Sequence, residues 1–487
     1  MEEEQKNPRL LDIFKLPCAK RVELHYAGAR AHLINSSDIL RQSSQEQQLY
    51  EKYHSAGEPY GPCIYSSKGE HFTEVAPKLK KLVENIKFDL KYFGYMEYAY
   101  GLEEHRQIMK TIILRDHQLT DYINTVPIEY HFEVGCFMDS TRLCMYDLGR
   151  LIVQECKDRK PYVLSFEPGW DYAGVYESLN MEVLHLPITH KTEFVPDLNE
   201  WTKYLDKQKV KHLDLVIINT QHNPTGKQWT SDVVNYLIDL ALKYHSYLLI
   251  DDAYYCVNDP RIPVVNTVKL WLERLKYIQF KDEMFNRWIQ TRPFGKQFNC
   301  NAMGVAAVTA SPTLMSRLNH IYWDHHYING CLNAEIMCQW LKDHLHDADE
   351  FIVENCLELT RKKKIIREFM EKELGYPSNA ICTGPSTSYL LFQAPTVYQQ
   401  DKEKENKSIS DITEDFSNSL FYSTGVMLSG KLFSHSDVSP FVRLHLGSDC
   451  DNLEEILRRF KQAGLNYQMK EKFPGEKGLK KNVKINK

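Results

Sequence analysis

The chain has no apolar run long enough to span a membrane; the longest, such as Leu215-Val216-Ile217-Ile218, are of strand length. It has no Cys-x-x-Cys pair, although it holds 12 cysteines, so the usual zinc-ribbon and redox spacings are excluded. Several of these thiols lie in apolar stretches (Cys144, Cys156, Cys338), which fits a reducing interior. There is no large charge excess. The formal net charge is −5, and nothing marks a nucleic-acid surface. Met1-Glu2-Glu3-Glu4 is acidic where a secretory leader would be basic and then apolar, so a cytoplasmic protein is expected. Repeats and low-complexity tracts are also lacking. What remains is ordinary globular usage, 43% hydrophobic and 26% charged over 487 residues, enough for two or three domains.

The middle of the chain alternates two periods. Tyr162–Phe166, Asp214–Asn219, Tyr247–Asp251 and Val305–Thr309 read as buried strands. Between them lie helical patterns, the clearest from Asp232 to Tyr244 with Val233, Val234, Leu237, Leu240 and Ala241 inward. Such alternation predicts an α/β domain with a mainly parallel sheet. A long helical stretch over 331–374 follows, then a smaller α+β segment with strands near Ser388–Phe392 and Phe441–Leu446. The expected division is an N-terminal arm and part of the small domain over 1–75, a large cofactor-binding domain over 76–330, a small domain over 331–470 with its connecting helix, and a basic tail over 471–487. Lys470–Lys487 carries seven lysines and two glutamates and reads as a solvated end.

Ligands of open α/β sheets bind at the carboxyl ends of strands. Asn223, Asp251 and Lys296 all follow strand-like runs, within Asn223-Pro224-Thr225-Gly226, Asp251-Asp252-Ala253-Tyr254 and Phe294-Gly295-Lys296. Each alone suits a turn or a cap. Asp252 should point away from its neighbour's face by strand alternation. Asp324-His325-His326 reads as a helix surface or a substrate-pocket wall more readily than as a metal site.

The ordered set resembles the fold-type-I pyridoxal-phosphate enzymes of the class I/II aminotransferase group, over about residues 90–465. Tyr95–Leu102, Glu167-Pro168-Gly169-Trp170 and Gly425-Val426-Met427 with Phe441–Leu444 add weaker matches. The resemblance implies a three-layer large domain with a mainly parallel sheet and a smaller α+β C-terminal domain. It implies pyridoxal 5'-phosphate, a Schiff base on Lys296, and a homodimer acting on an α-amino acid and a 2-keto acid. Asp251 would hold the pyridine nitrogen protonated, since a buried carboxylate favours the cation. Asn223 and Tyr254 would bond the phenolic oxygen, and Trp170 would stack on the ring. Lys296 and Asp251 are thus the expected catalytic pair. Arg443, with Asn223, would hold the substrate carboxylate. The stretch Gly135-Cys136-Phe137-Met138-Asp139-Ser140-Thr141 opens a helix, and its backbone N–H groups, with Gly135, Cys136 and Phe137 leading, would cradle the phosphate. Tyr95 would reach it from a neighbouring subunit.

Two departures surround the lysine. The position eight residues after it, an arginine in this group, is Gly304; the position three before it, a serine, is Pro293. Arg292 is the expected replacement charge. Residues 258–285 read as an inserted helix over the active site or the dimer interface. These departures leave other chemistry on the same cofactor open: elimination, replacement, cyclisation or oxidation. A non-catalytic descendant is the remaining alternative. No nucleic acid or membrane partner is expected.

Overall fold

The computed structural model describes residues 45–67, 75–94, 100–326, 330–404, 406–430, 439–447 and 450–482. The described chain opens with helix α1 (Gln45–Ser55) and the short strand β1 (Ile64–Tyr65). A seven-stranded sheet follows: β2 (Glu133–Phe137), β3 (Tyr162–Glu167), β4 (Glu182–Pro187), β5 (Leu215–Ile218), β6 (Tyr247–Asp251), β7 (Trp288–Pro293) and β8 (Ala306–Ala310). Its order is β2-β8-β7-β6-β5-β3-β4. All neighbours are parallel except that β8 runs against both β2 and β7. The chain moves outward from β3 to β4 and then resumes at β5 on the other side of β3. That reversal opens a crevice at the carboxyl ends of β3 and β5.

The apolar runs explain the sheet. Every residue of β5, β6 and β8 is buried, as expected for strands covered on both faces. Covering helices include α2 (Glu103–Asp116), α3 (Thr141–Glu155) and α4 (Ser231–Tyr244). Helix α4 buries Val233, Val234, Leu237, Ile238 and Ala241 at helical spacing and stops at His245, which takes a left-handed conformation. Each such side chain contributes about 1.5–3 kcal/mol when withdrawn from water. Leu237 is fully buried on this face, and Leu237→Ala would cost about 2–5 kcal/mol.

Residues 258–285 do contain the expected helix, α5 (Thr267–Leu275), and a shorter one over Lys281–Phe285. They do not roof the site. Val268, Trp271, Leu272, Met284 and Phe285 pack into the large core. Helix α6 (Cys331–Asp343) joins that core too, through Ala334, Met337 and Trp340. The chain then passes to the second core along α7 (Leu345–Glu373), which begins with Ala348 in the first and ends with Ile366 and Met370 in the second.

The smaller domain is a three-stranded antiparallel sheet, β9 (Ile381–Cys382), β10 (Tyr389–Gln393) and β12 (Phe441–His445), with β10 central. Helices α8 (Ile409–Thr424) and α9 (Cys450–Gln462) cover it. Ser408 starts α8 with a capping box, its side chain and that of Asp411 each bonding the other's main-chain N–H. Strand β11 (Val426–Met427) pairs in parallel with β1, so the N-terminal arm is stitched to this domain. Much of the basic tail is also tied down: Phe473 and Leu479 are buried, and Lys52 pairs with Glu476 at 2.8 Å across α1 and α10 (Glu476–Asn482). No helix among the described residues is long and apolar enough to cross a membrane.

Candidate active site

Three strand ends converge. β5 leads into Asn219–Asn223, whose turn is pinned by Asn219: its amide donates to the Asp251 carbonyl at 2.8 Å and its Oδ1 accepts the Asn223 N–H at 2.9 Å. β6 ends at Asp251. β7 ends at Pro293, and Lys296 follows three residues later. Gly295 is needed there, because a Cβ at that position would sit 2.6 Å from the Asn301 Cα.

These turns surround a cavity of about 350 Å³ lined by Trp170, Asn223, Tyr254, Lys296, Tyr389 and Arg443, among others. The Lys296 amine lies 5.0 Å from the centre of the Tyr254 ring. The Tyr254 hydroxyl donates to that of Tyr389 at 2.6 Å. Burial, with Tyr389 beside it, pushes the Tyr254 phenol well up, so it remains an O–H donor. Arg443 stacks on Tyr389 at 4.3 Å, donates to the Ser67 carbonyl at 2.7 Å and approaches Asn223 Oδ1 at 3.4 Å. Its Nε is buried without a partner. The cavity therefore joins the two domains: Tyr389 and Arg443 come from the small one, Asn223 and Lys296 from the large one.

Asp251 is only 3% exposed. Burial raises its carboxyl above the ordinary carboxylate range; the Tyr172 hydroxyl at 2.6 Å, the Lys296 charge and the Ala253 N–H oppose that shift. Trp170 lines the cavity and carries the Arg142 guanidinium 4.4 Å from its ring centre, with Tyr172 edge-on at 5.1 Å. Asp252 faces away as alternation requires: Gln290 donates to it at 2.6 Å, and burial pushes it up to about 7.

Two sequence expectations fall elsewhere. Gly135, Cys136 and Phe137 do not line the cavity. They belong to β2, in register with Val308, Ala307 and Ala306, and the helix opens four residues after Phe137. The residues that face the cavity are Ser140 and Thr141, at the start of the 15-residue α3. The first N–H groups of a helix generally lack internal partners and favour an anion, and here that of Leu143 finds one in the Ser140 carbonyl at 2.9 Å. Arg292 is not a replacement charge. It alternates to the other face of β7 from Pro293, is 2% exposed, and pairs with Asp116 at 2.7 Å. Tyr95 lies outside the described residues. His325 is exposed on its helix, as the surface reading had it, and bonds Asp147 at 2.5 Å. Ser140 and Thr141 close the stretch read as the phosphate loop, whereas the sequence reading missed Tyr172, Asn219 and Tyr389. Tyr389 is placed by the register of β10, which pairs Leu391 with Arg443, so Tyr389, two residues along, shares their face.

Comparison with known proteins agrees with this geometry. The family described as aminotransferase class I and II matches residues 148–460. Comparison with curated proteins gives no match. Among solved structures, substrate-bound BacF from Bacillus subtilis is 16% identical, covering 90% of this chain and 100% of its own at a TM-score of 0.67. Aspartate aminotransferase from Thermus thermophilus with maleate is 14% identical, with coverage of 89% and 100% and a TM-score of 0.64. The aromatic aminotransferase from Pyrococcus horikoshii is 16% identical, with coverage of 84% and 97% and a TM-score of 0.64. With a family match over most of its length and that fold throughout, this chain belongs to the class I and II aminotransferases, enzymes that use pyridoxal phosphate.

Proposed function

We propose that Lys296, Asp251, Asn223, Tyr254, Trp170 and Arg443 form the working site of this aminotransferase, moving an amino group between an α-amino acid and a 2-keto acid. The observation that carries the reading is convergence: five of the six line one cavity, and Asp251 is buried within reach of the Lys296 charge. The donor set fits the cofactor. A carboxylate is available for its ring nitrogen, an amine for its aldehyde, an indole for its face, and an open helix start for its phosphate. When bound, pyridoxal phosphate supplies an aldehyde that captures amines and a protonated ring that draws electrons from the substrate's Cα.

The chain's own groups do the rest. Asp251 keeps the ring nitrogen protonated, and Tyr172 fixes the carboxylate that does so. Tyr254 and Asn223 supply donors at the ring oxygen. Lys296 would hold the cofactor's aldehyde and, as a free amine, would take the proton from the substrate's Cα. Arg443 clamps the substrate carboxylate through parallel N–H groups, and its stack on Tyr389 limits its freedom beforehand. Ser140 and Thr141 hold the phosphate end without an arginine at position 304.

Homodimeric assembly belongs to the same reading. A surface groove of about 780 Å³, lined by Val75, Leu79, Val83 and Met303, shares Asn301 with the site cavity, and a second copy seated there would close the phosphate end. Cytoplasmic residence is supported by the ten described cysteines, all free thiols.

The test is a screen of amino acids against a panel of 2-keto acids, with Lys296→Ala alongside. The expected result is a new amino acid from the native protein, with a loss of roughly 10²–10⁴-fold in the variant from proton transfer alone. If no keto acid is aminated while ammonia or peroxide accumulates, amino transfer is the wrong reaction.

A further inference from the structure

Away from the cavity, His105, Cys136 and Cys338 each bring one ligand atom to a common point, all within 4.8 Å of one another. They come from three separate elements, α2, β2 and α6. His105 and Cys136 are 0% exposed and Cys338 is 1% exposed. Both cysteines are free thiols. Nothing in the amino-transfer reading uses these residues.

The histidine is oriented for a task beyond packing. Its Nε2 is 2.7 Å from the Glu335 carboxylate, which accepts a second hydrogen bond from Gln339 at 2.6 Å. Its Nδ1 is buried and has no partner. A carboxylate on one ring nitrogen fixes the proton there and leaves a lone pair on the other, the arrangement seen around metal-ligating imidazoles. An unpaired buried nitrogen is otherwise a net cost. Two thiolates and a neutral imidazole would neutralise zinc(II), and one thiolate, one thiol and the imidazole would neutralise copper(I), so no net charge would be buried with either ion.

We propose that His105, Cys136 and Cys338 form a structural site for a thiophilic closed-shell cation, zinc(II) or copper(I), with Glu335 setting the histidine. Two sulfurs and one imidazole select such ions over magnesium or calcium. The ion ties β2 to α2 and α6. β2 ends three residues before Ser140, so the clamp steadies the strand that delivers the phosphate-facing helix start. Binding would release the thiol protons and add directly to folding stability.

The experiment is elemental analysis of the desalted, full-length holoenzyme, followed by cobalt(II) loading of chelator-treated protein. The expected result is roughly one zinc or copper per chain and a thiolate-to-cobalt absorption band, both lost in Cys338→Ser. Zinc and copper are distinguished by the analysis itself. Glu335→Gln keeps all three ligands, and its affinity in a chelator competition should fall about 10–100-fold, even if Cys338→Ser folds poorly. Protein that holds neither metal and takes up no cobalt overturns the proposal, as does equal metal in Cys338→Ser. So does a denatured-state thiol titration two groups short, which would mean a Cys136–Cys338 disulfide. None of these readouts depends on amino transfer.

Discussion

The Tyr172 hydroxyl donates to Asp251 Oδ2 at 2.6 Å, and both groups are almost completely buried. A carboxylate removed from water must be held by donors if it is to stay charged. Burial pushes Asp251 up, and Tyr172 is the strongest force pulling it back. In Tyr172→Phe the charged form loses that support, and the cofactor's protonated ring loses its partner in proportion. A hydrogen bond to a charged group is worth about 1.5–3 kcal/mol, so cofactor affinity should fall roughly 10–100-fold. Titration of the apoprotein with pyridoxal phosphate measures this. Unchanged affinity would mean that Asp251 does not face the ring.

Arg443 is spread between a stack on Tyr389, a bond to Ser67 and an approach to Asn223. A lysine can supply the charge but neither the flat stack nor two parallel N–H groups. Arg443→Lys should therefore raise KM for the amino acid about 10–100-fold while kcat changes less, because the carboxylate is held alike before and during reaction. Steady-state kinetics separate the two. A loss confined to kcat would assign Arg443 to the chemical step instead.

Much of this site could be read from sequence because its residues sit at strand ends. Asp251 terminates an apolar run that has to be a buried strand, and Asn223 and Lys296 follow two others. Runs of that kind survive any packing detail. What failed were decisions one or a few residues wide. Arg292 lies next to Pro293, which lines the cavity, and strand parity sends it to the opposite face. Gly135 looks like the end of a strand, yet pairing with Val308 carries β2 on through Phe137, and the anion-facing turn slips to Ser140. Tyr389 and the His105–Cys136–Cys338 cluster depend on contacts between distant parts of the chain, which local spacing does not record.

Gly304 occupies the position where an arginine was expected, with φ +69 and a would-be Cβ 3.4 Å from the Met138 carbonyl. The backbone is left-handed there, a conformation that costs an L side chain about 1–2 kcal/mol. Gly304→Ala should lower unfolding stability by about that amount, read from the midpoint of a urea titration. Gly304→Arg bears the same strain but adds a cation at the cavity wall. Compared with Gly304→Ala, it should bind the cofactor more tightly. Looser binding than in the alanine variant would place residue 304 away from the phosphate.

His222 gives the clearest pH signature. It is fully buried beside Asn223, stacked on Trp229 at 5.2 Å, with Nδ1 2.8 Å from the Thr225 hydroxyl. Burial pushes it down to about 3, with a main-chain bond near Pro168 opposing. In the unfolded chain a histidine titrates near 6.5. Below that pH the unfolded state takes up a proton that the folded state refuses, so stability is intact above about 6.5 and drains away as pH falls toward 3. The limiting slope is about 1.4 kcal/mol per pH unit for one such group. His117, also pushed down to about 3, adds to the decline, while Asp252, pushed up to about 7, opposes it. The informative quantity is therefore the difference between native protein and His222→Gln. Across about pH 7 to 4 the native Tm should fall more steeply than that of the variant, because glutamine has no proton to gain. Parallel curves would show that His222 accepts its proton within the fold.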